Sequence, residues 1–254
     1  MKKKPIQHFI FGYGSLICPH SRAVTAPTLA QKTATPVLVK HVERTWAKVS
    51  TGFTAMGVRF QDDAECVGVL LPVDDVELEQ FDEREQGYNR VPLSIRHIEP
   101  VPFLDSSVYE DPGHQVFLQA KEQREEELTK VWMYMPQNFV PPSEETPIVQ
   151  SYVDTILRGC LTISEDFAEQ FISNTKGWRP SEVVTDDEQS VEDDESATTT
   201  SSTVTDDGVY WVDDRLDPIY SRGDQQYMLK HKNKLDSLLK RHRDEFQHRI
   251  RRRK

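Results

Sequence analysis

The chain is 254 residues long, with 37% hydrophobic residues and a formal net charge of −11, and its mean hydropathy is −0.62. Those values allow one large domain or two small ones, and they leave part of the chain outside any core. They exclude a membrane helix, because no stretch approaches the roughly 18 uninterrupted apolar residues that one needs.

Lys2-Lys3-Lys4 mimics the opening of a signal peptide, but Pro5, Gln7, His8, Gly12 and Gly14 break the apolar run that would have to follow. Residues 9–16 read instead as a strand entering a loop. Residues 37–49 and 53–60 are rich in β-formers and are expected to pair through a Ser50-Thr51-Gly52 turn. Residues 66–73 form an apolar run typical of a buried strand. Asp74 and Asp75 can cap a helix running toward Asp82, with Val76, Leu78 and Phe81 among its apolar positions. Glu85 then falls just past the helix, in a turn ended by Gly87. Residues 90–98 and 130–135 read as two more strands, separated by an insertion whose residues 121–128 suit a solvated helix. Helical spacing follows at Tyr152, Ile156 and Leu157, closed by Gly159, and again over 164–173 with Ser164 as N-cap.

Composition then changes abruptly. Residues 182–207 are acidic and rich in Ser and Thr, with seven carboxylates between Asp186 and Glu195, and are expected to be disordered. Order should return at Val209-Tyr210-Trp211-Val212, and residues 225–253 should form one charged helix with Met228, Leu235, Leu238, Leu239 and Phe246 as its stripe. The chain thus divides into a domain over 5–181, an acidic insertion over 182–207, a return segment over 208–224 and a basic helix and tail over 225–254. From Lys230 to Lys254, eleven Lys or Arg stand against three carboxylates, so the rest of the chain carries −19. That acidic body argues against nucleic acid as a partner, and the basic tail is free to contact an acidic one. Cys18, Cys66 and Cys160 lack CxxC spacing, so a reduced, cytoplasmic protein is expected rather than a disulfide scaffold.

Two clusters carry chemistry. In Gly12-Tyr13-Gly14-Ser15-Leu16, two glycines bracket an aromatic, so the chain can bend sharply and present backbone N–H groups to a carboxylate or an oxyanion. Some seventy residues on, Asp82-Glu83-Arg84-Glu85-Gln86-Gly87-Tyr88-Asn89-Arg90 offers carboxylates, two guanidinium groups and a tyrosine. Together they indicate an enzyme for a small polar molecule.

That pairing resembles the γ-glutamylcyclotransferase-like family, also called ChaC-like. The family's strand into a Y-G-S loop is matched by Tyr13-Gly14-Ser15-Leu16. Its acidic cluster ends in a glutamate that serves as acid and base, and the D-x-R-E-x-G-Y string places it at Glu85. A third match, Pro147-Ile148-Val149-Gln150-Ser151-Tyr152, carries the family's pocket tyrosine at Tyr152. The resemblance spans residues 7–178 and implies an α+β fold, a small mixed β-barrel with peripheral helices. It implies a reaction in which the α-amine of a γ-glutamyl compound attacks its own γ-carbonyl, giving 5-oxoproline and a free amine. Glu85 would be the catalytic residue, with Tyr13, Gly14, Ser15, Leu16, Tyr152 and Arg90 binding substrate, and neither metal nor cofactor is required. A monomer or weak dimer is expected. The chain departs from the smaller members by continuing well past Tyr152, and the choice among γ-glutamyl amino acids, γ-glutamylamines and glutathione stays open.

Each residue also has a plainer reading. Glu85 can simply pair with Arg84 or Arg90 on the surface. Gly12 and Gly14 can merely allow a turn, and Tyr152 can be a core aromatic. Arg84 and Arg90 can bind a substrate carboxylate or only brace Glu85 and Asp82. Ser15 follows the second glycine, which does not fit the G-x-S-x-G elbow of a hydrolase. Cys18 with His20, or His242 with His248, lacks the further ligands a metal needs. A non-catalytic domain of the same fold, binding a metabolite or a partner, is the competing reading.

Overall fold

A computed structural model describes residues 6–110, 112–122, 128–182 and 208–251. The disordered insertion expected over 182–207 lies, but for Glu182, outside the described residues. Seven strands form the main sheet, six along one path and one as a branch. β1 (Gln7–Gly12) sits inside it, paired antiparallel with β3 (Phe53–Val73) and parallel with β6 (Thr129–Pro136). β3 also pairs with β2 (Thr35–Ser50), β6 with β4 (Tyr88–Leu93), and β2 with β5 (Ile98–Glu99) and, to one side, β8 (Thr175–Lys176). With neighbours on both edges, β1 is buried from Phe9 to Gly12, and it delivers the following loop to one end of the sheet.

The architecture is mixed α and β, as expected, but the expected closed barrel is not found. The path β4-β6-β1-β3-β2-β5 has two ends, and no ladder joins β4 to β5 among the described residues. Pro92 within β4 has no N–H to give a further neighbour, and β5 is only two residues long before Pro100. The strand expected over 90–98 breaks for a related reason. Beyond Pro92, Ser94 caps a short 3-10 turn, Ile95–His97, accepting from Arg96 N at 3.3 Å.

The Ser50-Thr51-Gly52 turn forms as expected, with Gly52 at φ +77°. The two strands expected after it form one strand, β3, although its pairing with β2 is interrupted by a bulge at the exposed Gln61-Asp62-Asp63, where the register shifts between Lys40 and Val42. The insertion carries a helix, α3 (Pro112–Glu122), following the helices α1 (Pro19–Thr25) and α2 (Asp75–Arg84), while the helix expected over 121–128 lies mostly outside the described residues. α3 is anchored by Phe117, which is buried edge-to-face on Phe9 at 5.7 Å.

A second sheet joins the distant part of the chain to the first. β9 (Trp211–Asp213) lies between β7 (Ile148–Val149) and β10 (Ile250–Arg251), parallel to both. Behind it pack α4 (Gln150–Ile163), α5 (Glu165–Ser173) and α6 (Gln225–His242). Trp46, Trp178, Trp211 and Phe246 stack in series at 5.2, 4.9 and 5.4 Å, so both sheets share one core. The stripe of α6 is buried at Met228, Leu235, Leu238 and Leu239, but the helix ends at His242 rather than running to 253. Beyond it Phe246 is buried on a 3-10 turn, Asp244–His248.

Candidate functional site

α2 begins with a reciprocal cap. Asp74 accepts from Glu77 N at 2.9 Å, and Glu77 accepts from Asp74 N at 2.9 Å. The helix ends at Arg84, so Glu85 occupies its C-cap, with Glu85 N still donating to Phe81 O at 2.9 Å. Gly87, at φ +81°, then reverses the chain into β4. The Glu85 side chain is 17% exposed and accepts from Arg84 Nε at 2.9 Å. Arg84 is itself fixed, with Nη1 donating to Ser21 O and Thr25 Oγ1 and Nη2 to Ser15 Oγ at 3.0 Å. One buried guanidinium therefore ties Glu85 to the loop that follows β1.

That loop passes into a 3-10 turn, Ser15–Ile17, whose first bond runs from Ile17 N to Gly14 O at 2.9 Å. The N–H groups of Ser15 and Leu16 precede it, as unpaired donors do at the start of a helix. Gly14 is needed for closeness rather than for a positive φ, because a Cβ there would stand 3.1 Å from the Tyr152 hydroxyl and 3.2 Å from Met56 Cβ. Tyr152 is brought to it by α4, which presses on the same loop.

Between these parts lies a pocket with about 300 Å³ of empty space. Tyr13, Gly14, Ser15, Leu16, Glu85 and Tyr152 all line it, so six of the seven residues singled out in the sequence meet at one place. Arg90 does not join them. It lies exposed on β4, 3.1 Å from Asp82 with its guanidinium over Trp132 at 4.8 Å. Phe11, Met56, Tyr88 and Tyr134 complete the lining. Tyr88 stood in the acidic string itself and was legible there. Tyr134 carried no sign beyond its place in a strand, because its role depends on β6 pairing beside β1. Arg84 acts as the brace.

The pocket's hydroxyls are held. Tyr13 donates to Tyr134 O, Tyr88 to Met56 O at 2.8 Å and Tyr134 to Asp82 Oδ1 at 2.8 Å. Burial pushes all four phenols above their ordinary range, and the negative charge of Glu85 adds to it. They stay neutral donors at any ordinary pH. From the return segment, Tyr220 packs on Tyr152 at 4.8 Å and bonds Ser21 Oγ at 2.9 Å, and Ser21 Oγ in turn meets Arg84 Nη2 at 3.2 Å. Among the described residues no group of three or more His, Cys, Asp or Glu side chains stands where one metal ion could be held, and no helix is long and apolar enough to cross a membrane.

No protein-family model and no curated protein sequence matches the chain. Solved structures do. The chain is similar to a structure described as a gamma-glutamyl cyclotransferase, with a TM-score of 0.45 and 12% identity over 77% of this chain and 94% of that one. An uncharacterized protein from Homo sapiens matches with the same four values. A yeast gamma-glutamyl cyclotransferase specific to glutathione matches with a TM-score of 0.37 and 15% identity, over 66% of this chain and 87% of that one. The case for a function rests on the pocket.

Proposed function

We propose that the chain is a cyclotransferase that converts a γ-glutamyl compound into 5-oxoproline and a free amine. The observation that carries this reading is the meeting of the Glu85 carboxylate with the Gly14–Leu16 backbone in one small pocket, held by a single guanidinium that bonds both sides. The nucleophile is already part of the substrate, so the site must fix one rotamer, move protons and stabilise an oxyanion. Orientation contributes up to roughly 7–11 kcal/mol in the best intramolecular cases.

The α-nitrogen forms a bond to the carbon of the γ-carbonyl group, and the bond from that carbon to the leaving nitrogen breaks. Two protons leave the α-ammonium and two arrive at the leaving nitrogen, so the reaction takes up and releases none. Glu85 is the group that carries them. The backbone donors of Ser15 and Leu16 receive the oxyanion, and the neutral phenol of Tyr152 stands over Gly14 to bound the substrate. Tyr13 supports the loop through its bond to β6. Arg90 has no part in this reading, since its place is outside the pocket.

The test is to incubate the purified full chain with a γ-glutamyl amino acid, a γ-glutamyl-lysine derivative and glutathione and to assay 5-oxoproline. Glu85→Gln keeps shape and most hydrogen bonding but cannot accept a proton. Its turnover is expected to fall about 10²–10⁴-fold, the usual scale for a lost acid or base, with the melting temperature near that of the wild type. Wild-type turnover by Glu85→Gln would remove Glu85 from the mechanism. Absence of 5-oxoproline from all three substrates would leave the non-catalytic reading.

A further inference from the structure

Beside the pocket, a solvent-open groove with about 1430 Å³ of empty space runs between the β2–β3 turn, the end of α2 and the return segment. The two are continuous through the chain and through a wall of rings. Arg84 and Gln86 line the groove while Glu85, between them, lines the pocket. Phe53 and Tyr220, on the groove side, pack on Tyr152 at 5.4 and 4.8 Å.

The groove is polar and mainly basic. Its charged lining is Lys48, Arg84, Arg222 and the exposed Glu83. Arg84 is consumed by Glu85 and the serines around it. Lys48 and Arg222 are different, because neither has a carboxylate partner among the described residues. Lys48 is also half-buried, with its ammonium 5.1 Å from the centre of the Tyr88 ring, a residue that lines the pocket. A cation taken partly out of water with no carboxylate in ion-pair contact is held at a cost. Burial accordingly lowers its pKa, with the charge of Glu85 working the other way. The site gains if an incoming anion supplies the missing partner.

We propose that this groove is the leaving-group subsite, in which Lys48, with Arg222, binds a carboxylate carried by the leaving amine. This rests on the cyclotransferase reading and narrows it. The substrate's leaving group is an amino acid or peptide with a free carboxylate, and amines without one are poor substrates. The glutamyl part occupies the pocket, and the scissile bond lies at the junction beside Glu85. The groove's far wall, Ile219 to Arg222, comes from the return segment, which gives that segment a part in choosing the substrate.

The test uses γ-glutamyl-alanine and γ-glutamyl-ethylamine, which differ only by the leaving group's carboxylate. The wild type is expected to favour the alanine compound at least tenfold in kcat/KM, the scale of one hydrogen-bonded charge. Lys48→Met should reduce that preference about tenfold, mainly through KM for the alanine compound, and Lys48→Arg should restore most of it. Arg222→Gln should reduce it in the same sense and serves if Lys48→Met does not fold. Raised salt should weaken the preference in the wild type. If both compounds yield 5-oxoproline equally well, or if neither variant changes the ratio, the subsite is wrong while the cyclotransferase reading stands. If neither compound yields 5-oxoproline, both fall together.

Discussion

Four phenols in one small pocket make the site sensitive to alkali in a way that can be measured. Tyr13, Tyr88, Tyr134 and Tyr152 are all pushed up by burial, so they keep their protons where a tyrosine of the unfolded chain, ionising near pH 10, gives its proton away. The stability these groups contribute is fully present below about pH 10 and is lost as pH rises beyond it, because the unfolded state then binds fewer protons than the folded one. The melting temperature should therefore fall steeply above about pH 10. Tyr88→Phe, which removes one such group, should fall less steeply, and equal slopes would show that Tyr88 ionises in the folded protein as in a peptide. The residues of this site were legible where a short string carried them, as with Glu85 before Gly87 and Tyr13 before Gly14. Tyr134 and Tyr220 were not, because one is fetched by strand pairing and the other across some 200 residues to Ser21. Arg90 is the converse case: it belongs to the same string, yet the turn at Gly87 sends it onto an exposed strand outside the pocket lining.

Among the elements, α4 decides whether the pocket closes, and Gly159 decides where α4 sits. The sequence suggests a helix over 151–161 with this glycine in its last turn, and the helix runs to Ile163. Gly159 is there because a Cβ would lie 2.5 Å from Cys18 N and 2.6 Å from Ile17 C, backbone atoms that cannot give way. Gly159→Ala improves helix propensity by about 1 kcal/mol. Overpacking against fixed backbone costs about 1–3 kcal/mol, so the loss is expected to win. The helix must shift away from the loop, and Tyr152, two turns earlier, moves away from Gly14 with it. A lower melting temperature and weaker substrate binding are expected together, and a variant more stable than the wild type would refute the close approach. Caps and turns at this scale were readable, as with Asp74, Ser164 and Gly52, because each is satisfied within a few residues. The continuation of β3 through its bulge was not, since pairing on both sides of it outweighs local composition.

On the scale of the whole molecule, the basic C-terminal region binds the body of its own chain, whereas the sequence offers it to a separate acidic partner. Arg241 meets Glu165 and Glu169 at 2.7 Å each, and Arg243 donates to Ile172 O and Thr175 O at the end of α5. The charge surplus was visible in the sequence, but its partners were not, because they come from separate segments. Deepest is Arg249, whose side chain is 8% exposed, bonded to Asp213 at 3.3 Å and Asp236 at 3.2 Å, and stacked on Phe246 at 3.7 Å. The same two carboxylates meet Arg215, which also holds the fully buried Asp154 of α4. Three Asp and two Arg thus join α4, β9, α6 and the last strand. Arg249→Met keeps the stem on Phe246 but leaves Asp213 and Asp236 to share Arg215 alone. Removing one partner of a buried pair costs about 3–5 kcal/mol, and the surviving arginine points to the lower end. With about 2–4 °C per kcal/mol at this chain length, the melting temperature should drop by about 6–12 °C. Lys230→Met, on the exposed start of α6, should change stability by no more than about 0.5 kcal/mol. Well below the transition, Arg249→Met should still yield 5-oxoproline, because the network lies outside the pocket lining. If Arg249→Met melted with the Lys230 variant, the C-terminal strand would hold no part of the fold, and the return segment would need another anchor.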